Sequence, residues 1–301
     1  MIVNTTSPEE KRRQLAEGIR SGKLLQFPGA YNPLVALLIE QKGFDGVYVS
    51  GAVMANSLGL PDIGMTTLTE VTGAAAAIAR VTALPVIMDI DTGFGEPMMV
   101  ARTIKELLYL GIAGCHMEDQ VNPKRCGHLD NKELVPVADM VKKIKAAAEA
   151  KTDPNFLLIA RTDAKDGEGI AKAIDRAQAY VDAGADMIFP EALRDEQEFE
   201  AFRKAIDAPL LANMTEFGKS KLLSRQQLED IGYNLVIYPV TTQRWAMKAV
   251  EDGLDNLREA GTQADTLDRM QTRARLYEIL NYEAYNRYDQ SLYNFVLGED
   301  Q

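Results

Sequence analysis

Eight short apolar runs, each followed by a helical pattern, constrain the fold more than any other feature of this sequence. Near-continuous apolar strands are typical of a parallel sheet that is buried on both faces. Eight strand–helix repeats within 301 residues predict an α/β fold, a closed (β/α)8 barrel of the TIM type. An open doubly wound sheet is the alternative. The runs are Leu24–Phe27, Gly46–Val49, Pro85–Asp89, Cys115–Glu118, Phe156–Ala160, Met187–Phe189, Pro209–Ala212 and Leu235–Tyr238.

The segments between these runs predict amphipathic helices. Ser7, then Pro8, then Glu10 three residues after the serine, are typical of a helix N-cap. A tyrosine-rich stretch from Leu267 to Phe295 predicts a further long helical stretch, that is, additional C-terminal helices. We therefore expect one barrel domain over residues 1–301, with a C-terminal helical tail at 262–301. The other helices are predicted at 32–42, 69–81, 97–110, 137–150, 169–183, 196–206, 225–231 and 243–260.

Composition excludes several classes of protein. A net charge of −11 argues against binding to nucleic acid or to an anionic membrane, both of which need clustered basic residues. Cys115 and Cys126 are the two cysteines, and they imply no disulfide framework. The N-terminus has no apolar signal region, and no apolar run approaches the ~18 residues of a membrane span. We expect a cytoplasmic protein.

Acidic and basic side chains follow several of the apolar runs at the point where each run ends. Glu118, Arg161 and Glu191 are examples. The active sites of barrels lie at the C-terminal ends of their strands. Solvation of loops alone predicts Asn, Ser and Gly there, and it does not predict so many carboxylates interspersed with arginine. The pattern favours a functional site at this end of the barrel.

Three carboxylates predict a metal site. Asp89 and Asp91 are two residues apart, so on a strand both side chains face the same way, and Glu118 ends the next strand. Hard carboxylate oxygens at a barrel mouth suit Mg2+, with Mn2+ as the other candidate ion. The alternative for Asp89 and Asp91 alone is an Asx-type turn.

Cys126 lies in the run Lys124-Arg125-Cys126-Gly127-His128. Cationic neighbours lower the pKa of a thiol, so we expect a reactive acid, base or nucleophile. Asn122-Pro123 and Gly127 indicate an irregular loop that is suited to cover a ligand. The alternative is an exposed basic loop with an incidental cysteine. Cys115, within an apolar strand, is expected to be a core residue.

Three arginines are candidate clamps for substrate carboxylates, because a guanidinium binds a carboxylate through two hydrogen bonds. Arg161 ends the fifth run, Arg244 begins the helix after the eighth run, and Arg273 lies in the tail. For Arg273, a solvated helix face explains the spacing equally well. The sequence pattern assigns no role to His116.

These residues carry a resemblance to a known family. The chain resembles the 2-methylisocitrate lyases of the isocitrate lyase/phosphoenolpyruvate mutase superfamily, and the Lys124–His128 run is the most specific match. Two departures lie near the expected pocket: Ala52, where many members have a second glycine, and Lys219-Ser220-Lys221, where Thr-Pro is frequent. The other matching stretches are 49–51, 59–62, 89–95, 116–120, 161–164, 189–192, 213–218, 238–240 and 270–273.

The resemblance implies an activity and a set of site residues. The reaction is cleavage of 2-methylisocitrate, a tricarboxylate, to pyruvate and succinate in propionate catabolism through the methylcitrate cycle. Mg2+ at the three carboxylates binds the part that becomes pyruvate, and Cys126 returns a proton to the succinate carbanion. Tyr48 and Lys124 are the candidate bases, and Asp62 lies behind the substrate shell. The substrate residues are Ser50, Gly51, Ala52, Gly127, His128, Arg161, Glu191, Asn213, Thr215, Arg244 and Arg273.

The resemblance also implies a homotetramer in which a helix is exchanged between neighbouring subunits, which accounts for the tyrosine-rich tail. Other activities of the superfamily stay open: isocitrate lyase, 2,3-dimethylmalate lyase and oxaloacetate decarboxylase. A phosphonomutase needs no acid that protonates carbon, so Cys126 argues against it. A non-catalytic barrel is the alternative from a different class of protein.

Overall fold

The computed structural model describes residues 6–128 and 132–293. It confirms all eight predicted strands, with shifts of one or two residues at their ends. Every observed strand pair is parallel. The strands are β1 Leu25–Pro28, β2 Val47–Val49, β3 Val86–Asp89, β4 Gly114–Glu118, β5 Leu157–Thr162, β6 Met187–Pro190, β7 Leu211–Asn213 and β8 Leu235–Tyr238.

The strands follow one another around a closed barrel. Two hydrogen-bonded sheets have the orders β1-β8-β7 and β2-β3-β4-β5-β6. Two isolated parallel bridges join them at both seams: Gly29 with Tyr48, and Ile188 with Leu210. The cyclic order excludes the open doubly wound sheet and confirms the predicted (β/α)8 barrel.

Strand alternation divides the core into two layers. One buried cluster contains inward-facing residues such as Phe27, Ile87, Ile159 and Ile237. A larger cluster contains the residues between them, such as Met88, which pack against the surrounding helices. Because the side-chain period of a strand is two, the inner layer continues into the polar residues at the C-terminal strand ends.

Helices alternate with the strands, and their ends carry the predicted signals. The side chain of Ser7 accepts a hydrogen bond from the backbone N–H of Glu10 (3.2 Å), which confirms the predicted N-cap. Two short helices, α3 and α7, were not predicted. The helices are α1 Pro8–Arg20, α2 Pro33–Gln41, α3 Gly51–Ser57, α4 Leu68–Val81, α5 Pro97–Tyr109, α6 Val137–Ala150, α7 Ala164–Glu168, α8 Ile170–Asp182, α9 Glu196–Ala205, α10 Arg225–Ile231, α11 Thr241–Ala260, α12 Arg273–Ile279 and α13 Tyr282–Tyr293.

The described chain divides into two compact units, residues 6–244 and residues 245–293. The second unit contains most of α11, a 3-10 helix at Ala264–Arg269, α12 and α13. The predicted C-terminal helices are confirmed as α12 and α13. Thr272 caps the start of α12, and Asn281 has a positive φ of 53° before α13. Phe295 lies outside the described residues. The single domain at 1–301 with a tail from 262 stays a prediction.

Within residues 6–128 and 132–293, no helix combines the length and the apolar character needed to cross a membrane.

Candidate active site

Five polar side chains meet on the inner face of the barrel at its C-terminal end. Asp89, the last residue of β3, is the register partner of His116 on β4. Glu118, two residues further along β4, is the register partner of Arg161 on β5. The hydroxyl of Tyr48 on β2 lies 2.7 Å from Nε2 of His116. All five are buried, so strand register alone brings these groups together.

The structure groups Asp89 and Glu118 with His116. Among the described residues, these three offer ligand atoms that all lie within 4.8 Å of one another. The sequence predicted Asp91 in place of His116. Nε2 of His116 faces the Tyr48 hydroxyl, and its Nδ1 is buried without a hydrogen-bond partner among the described residues. The two carboxylates supply oxygen donors for a cation.

Asp91 reaches the site by a different route from the one predicted. β3 ends at Asp89, and Asp91 has a positive φ of 47°, so the two do not share a strand face and that part of the prediction is wrong. The backbone N–H of Asp91 donates to Oδ1 of Asp89 (2.9 Å), which is the Asx-type alternative. Both carboxylates nevertheless converge at Gly51: a Cβ there would lie 2.8 Å from Oδ2 of Asp89 and 3.2 Å from Oδ1 of Asp91.

The carboxylates at this end of the barrel fit a divalent cation. Oε1 of Glu118 is buried and has no hydrogen-bond partner among the described residues. Burial raises the pKa of Glu118 well above its ordinary value, and burial likewise raises the pKa of Asp91 to about 6. Such groups become fully ionised when a cation replaces the lost hydration. Oxygen donors of this kind suit Mg2+, which retains waters and takes few protein ligands.

The pKa of each predicted base is raised in this arrangement, which disfavours the deprotonated form. Burial, followed by Asp89, raises the pKa of Tyr48 well above its ordinary value. The Lys124 ammonium is 3.0 Å from Oδ1 of Asp91 and is also paired with Asp62. Although burial opposes the charge, carboxylates led by Glu118 hold the pKa of Lys124 well above its usual range. The identity of the base stays a prediction.

Arg161 is held by three carboxylates. Its Nε and Nη2 donate to the two oxygens of Asp163 (3.0 and 3.1 Å). Its Nη1 lies 3.1 Å from Glu118, and its Nη2 lies 3.3 Å from Glu191. The guanidinium also lies over the ring of Phe189, 5.2 Å from its centroid. Although burial opposes the charge, Asp163, Glu118 and Glu191 hold the pKa of Arg161 well above its ordinary value, so it is a permanent buried cation.

Another buried carboxylate, that of Asp119, holds the end of β5, the strand that carries Arg161. Oδ2 of Asp119 accepts hydrogen bonds from the hydroxyls of Thr162 and Tyr180, both at 2.8 Å. Its Oδ1 accepts from the backbone N–H of Asp163 (2.9 Å), and Arg176 lies 3.5 Å from Oδ2. Asp119 directly follows Glu118, so this network sets the ends of β4 and β5 relative to each other.

The loop that carries Cys126 lies over this inner-face cluster. A Cβ at Gly127 would overlap Nη2 of Arg161 and would lie 2.5 Å from Cγ of Glu191. The backbone of the loop therefore rests directly on two of the predicted substrate residues. Only glycine allows this approach, since any side chain at residue 127 collides with both groups.

The environment of Cys126 differs from the one predicted. The thiol is largely buried, and burial raises its pKa above the ordinary value. The His128 backbone N–H and Arg161 lower the pKa, but by less than burial raises it, and Asp62 and Glu191 add to the increase. The prediction of a lowered pKa for Cys126 is therefore wrong, because burial outweighs the cationic neighbours. A thiol that keeps its proton is suited to act as an acid.

His128 connects the loop to the opposite wall of the barrel. Its Nδ1 accepts a hydrogen bond from the backbone N–H of Lys219 (3.0 Å), and its Nε2 lies 3.2 Å from Oε1 of Glu191. Glu191 also accepts from Nδ2 of Asn213 (3.3 Å). Thr215 is buried two residues beyond Asn213. Lys219, where the sequence departs from the family pattern, thus contacts His128 through its backbone N–H.

The remaining predicted substrate residues fall into two groups. Ser50 is buried, Gly51 donates its backbone N–H to Oδ2 of Asp89 (3.2 Å), and both begin α3 with Ala52. Of the other two, Arg244 lies on α11 and Arg273 begins α12.

Arg244 on α11 is paired with Glu216, which follows β7. Its Nη1 is hydrogen-bonded to the backbone carbonyl of Glu216 and lies 3.1 Å from Oε2 of the same residue. Its guanidinium lies 5.1 Å from the ring centroid of Phe217. Arg273 begins α12 in the second unit and is exposed there. Their substrate roles stay predictions.

Sequence reasoning missed the place of three residues in this arrangement. His116 could have been found, because it is two residues from Glu118 on the same strand and therefore shares its face. Asp163, two residues after Arg161, carries the same signal. Lys132, which pairs with Asp163 at 3.3 Å, has no local signal, because the two residues are far apart in the chain.

A (β/α)8 barrel whose mouth combines buried carboxylates, a buried guanidinium and a largely buried thiol is typical of an enzyme. The sequence profile of the phosphoenolpyruvate phosphomutase family matches residues 15–258. The chain belongs to this family.

Curated relatives extend over nearly the whole chain. Probable 2-methylisocitrate lyase 1 of Corynebacterium glutamicum is 60% identical over 301 residues, which cover 100% of this chain and 99% of the relative. Probable 2-methylisocitrate lyase 2 of the same organism is 57% identical over 295 residues, covering 98% and 96%. The matches extend over nearly the whole length of both relatives.

Solved structures with the same fold have several activities. Oxaloacetate acetylhydrolase in complex with 3,3-difluorooxalacetate superposes with a TM-score of 0.88 at 33% identity, covering 97% of this chain and 99% of its own. Phosphonopyruvate hydrolase in complex with oxalate and Mg2+ superposes with a TM-score of 0.85 at 30% identity, covering 93% and 98%.

Proposed function

We propose that this chain is a carbon–carbon lyase that cleaves 2-methylisocitrate to pyruvate and succinate. The observation that carries the proposal is the approach of Gly127 to Arg161 and Glu191, which brings the Cys126 loop over the buried carboxylates and the guanidinium. Relatives of 57% and 60% identity bear the name of this lyase, and the same Lys124–His128 run stands in this chain.

We further propose Mg2+ as the cofactor, with Mn2+ as the alternative ion. Asp89 and Glu118 would hold it, with Asp91 beside them. When bound, the metal supplies electrophilic stabilisation of the negative charge that develops on the substrate oxygen. The unpartnered Oε1 of Glu118 and the Mg2+ in the phosphonopyruvate hydrolase complex support this assignment.

The side chains of the barrel account for the rest of the chemistry. As the carbon–carbon bond breaks, negative charge spreads into a carboxylate of the succinate fragment. Arg161, already a permanent cation, stabilises that charge without reorganisation, and Asn213 and Thr215 add donors. The Cys126 thiol retains its proton until the carbanion forms, then delivers it to carbon.

We propose that the protein works as a cytoplasmic homotetramer that exchanges a helix between subunits. Support comes from the second unit, where α11 exposes large apolar side chains. Trp245 is 72% exposed and Leu254 is 60% exposed. Apolar stripes of this kind are usually covered in an assembly. Sedimentation at several protein concentrations tests the oligomeric state.

The proposal is tested by Mg2+-dependent release of pyruvate and by one substitution. Cys126→Ser removes the acid, and we expect turnover of 2-methylisocitrate to fall by about 100- to 10,000-fold, the usual contribution of general acid catalysis. Cys115→Ala is the matched control, because Cys115 is a buried core thiol. Full activity of Cys126→Ser with intact Mg2+ dependence contradicts the acid role.

A further inference from the structure

Lys132 is a buried charged residue that the proposed chemistry leaves without a role. Its side chain is only 5% exposed, although lysine almost never lies inside a protein unless it is paired. Burying an ammonium is costly, so its partners must be specific. Those partners connect two parts of the active site.

The Lys132 ammonium links the Cys126 loop to the end of β5. It donates a hydrogen bond to the backbone carbonyl of Gly127. It also lies 3.3 Å from Oδ1 of Asp163 and 3.9 Å from Oδ2 of Asp166. The carbonyl of Gly127 belongs to the residue that directly follows Cys126.

Asp163 is shared between this ammonium and Arg161. Oδ1 of Asp163 accepts from Nη2 of Arg161 (3.1 Å) as well as facing Lys132, and Oδ2 accepts from Nε of Arg161 (3.0 Å). One carboxylate therefore bonds the cation that stabilises the carbanion and the cation that anchors the loop of the acid. The side chain of Asp163 is fully buried, so water does not compete for these bonds.

We propose that Lys132 is a positioning residue for Cys126: by joining the Gly127 carbonyl to Asp163, it sets the thiol in register with Arg161. Its ammonium contacts the Gly127 carbonyl, Asp163 and Asp166. Its role is to hold the loop backbone close to Arg161. The inference rests on the proposed role of Cys126 as the acid.

Lys132→Met tests the inference, because methionine fills a similar volume without the ammonium. A displacement of about 1 Å at the acid lowers turnover by roughly 100-fold, so we expect kcat for 2-methylisocitrate to fall on that scale with little change in KM. Proton delivery then becomes the slowest step, and the solvent deuterium isotope effect on kcat increases. A purely structural role leaves the isotope effect unchanged.

Lys11→Met is the matched control. Lys11 is also a buried lysine that donates to a backbone carbonyl, that of Ala79 at 2.7 Å, but α1 places it away from the barrel mouth. We expect its kcat and isotope effect to equal those of the unsubstituted protein. If Lys132→Met does not fold, Lys132→Leu, which likewise removes the ammonium and every donor for Gly127, carries the same test.

The two proposals fail in distinguishable ways. If Cys126→Ser retains full turnover, the acid assignment is wrong whatever Lys132 does. If Cys126→Ser is inactive, the result for the folded Lys132 variant decides the positioning role. That role alone is wrong if the variant keeps the original kcat, or if its kcat falls without a larger isotope effect. Reduced kcat with a raised isotope effect in the Lys132 variant, and neither change in Lys11→Met, supports it.

Discussion

Gly127→Ala is the substitution that most sharply tests the geometry of the Cys126 loop. The added methyl group would overlap Nη2 of Arg161 and would lie 2.5 Å from Cγ and 2.8 Å from Cδ of Glu191. Neither neighbour can move freely. Arg161 is bonded to three carboxylates, and Glu191 is also bonded to His128 and Asn213. The loop itself must therefore move.

The size of that movement follows from contact distances. Carbon atoms in contact lie at about 3.5 Å or more, so the backbone at residue 127 has to withdraw by about 1 Å. A misplacement of this size costs roughly 100-fold in rate, which corresponds to about 2.7 kcal/mol in the activation barrier. Binding of a metal ion should be nearly unchanged, because the residues that would hold it, Asp89 and Glu118, do not contact Gly127.

The assay is pyruvate release under saturating substrate, with Mn2+ binding followed separately by electron paramagnetic resonance. Gly167→Ala is the control, because a Cβ at Gly167 meets nothing within 4 Å. We expect kcat to fall by about 100-fold only in Gly127→Ala. Unchanged kcat in that variant refutes the inference that the loop rests on Arg161 and Glu191.

Three further predictions concern the thiol, the metal and the barrel end. Burial raises the pKa of Cys126, so the rate of its alkylation by iodoacetamide should increase about tenfold per pH unit up to and beyond pH ~8.5, the ordinary pKa of a thiol. A plateau of this rate below pH 8 contradicts the burial argument. Glu118→Gln should weaken Mn2+ binding by more than about 100-fold, since even outer residues of metal sites contribute 10–100-fold; calorimetry that finds equal affinity excludes Glu118 as a ligand. Asp119→Ala leaves Arg176 and Tyr180 without their shared acceptor, so urea titration should show a loss of about 3–5 kcal/mol in unfolding free energy; a loss below 1 kcal/mol contradicts the anchoring role.

The barrel could be predicted because its signals are local. Short apolar runs between amphipathic helices define strands whatever their partners, and all eight were found. Strand periodicity also predicted that Asp89, Glu118 and Arg161 lie at one end of the barrel. Closure, by contrast, depends on the bridges between Gly29 and Tyr48 and between Ile188 and Leu210, which no local pattern contains.

The errors arise where the backbone leaves regular structure or where burial decides the chemistry. Asp91 was placed on a strand, but its positive φ belongs to a turn that sequence spacing does not reveal. The cations near Cys126 in sequence suggested a lowered pKa, yet the packing of the loop desolvates the thiol. Lys132 and Asp163 meet only because the loop folds back over β5.

The central claim is that this barrel cleaves 2-methylisocitrate by metal-dependent carbon–carbon bond breaking. The most direct measurement determines kcat/KM for four acids. Pyruvate formation is followed for 2-methylisocitrate and 2,3-dimethylmalate, and consumption is followed for isocitrate and oxaloacetate. Each is measured with Mg2+ and with a chelator. The account predicts the highest kcat/KM for 2-methylisocitrate and loss of that activity with the chelator. A higher kcat/KM for any of the other three acids, or full activity in the presence of the chelator, contradicts it.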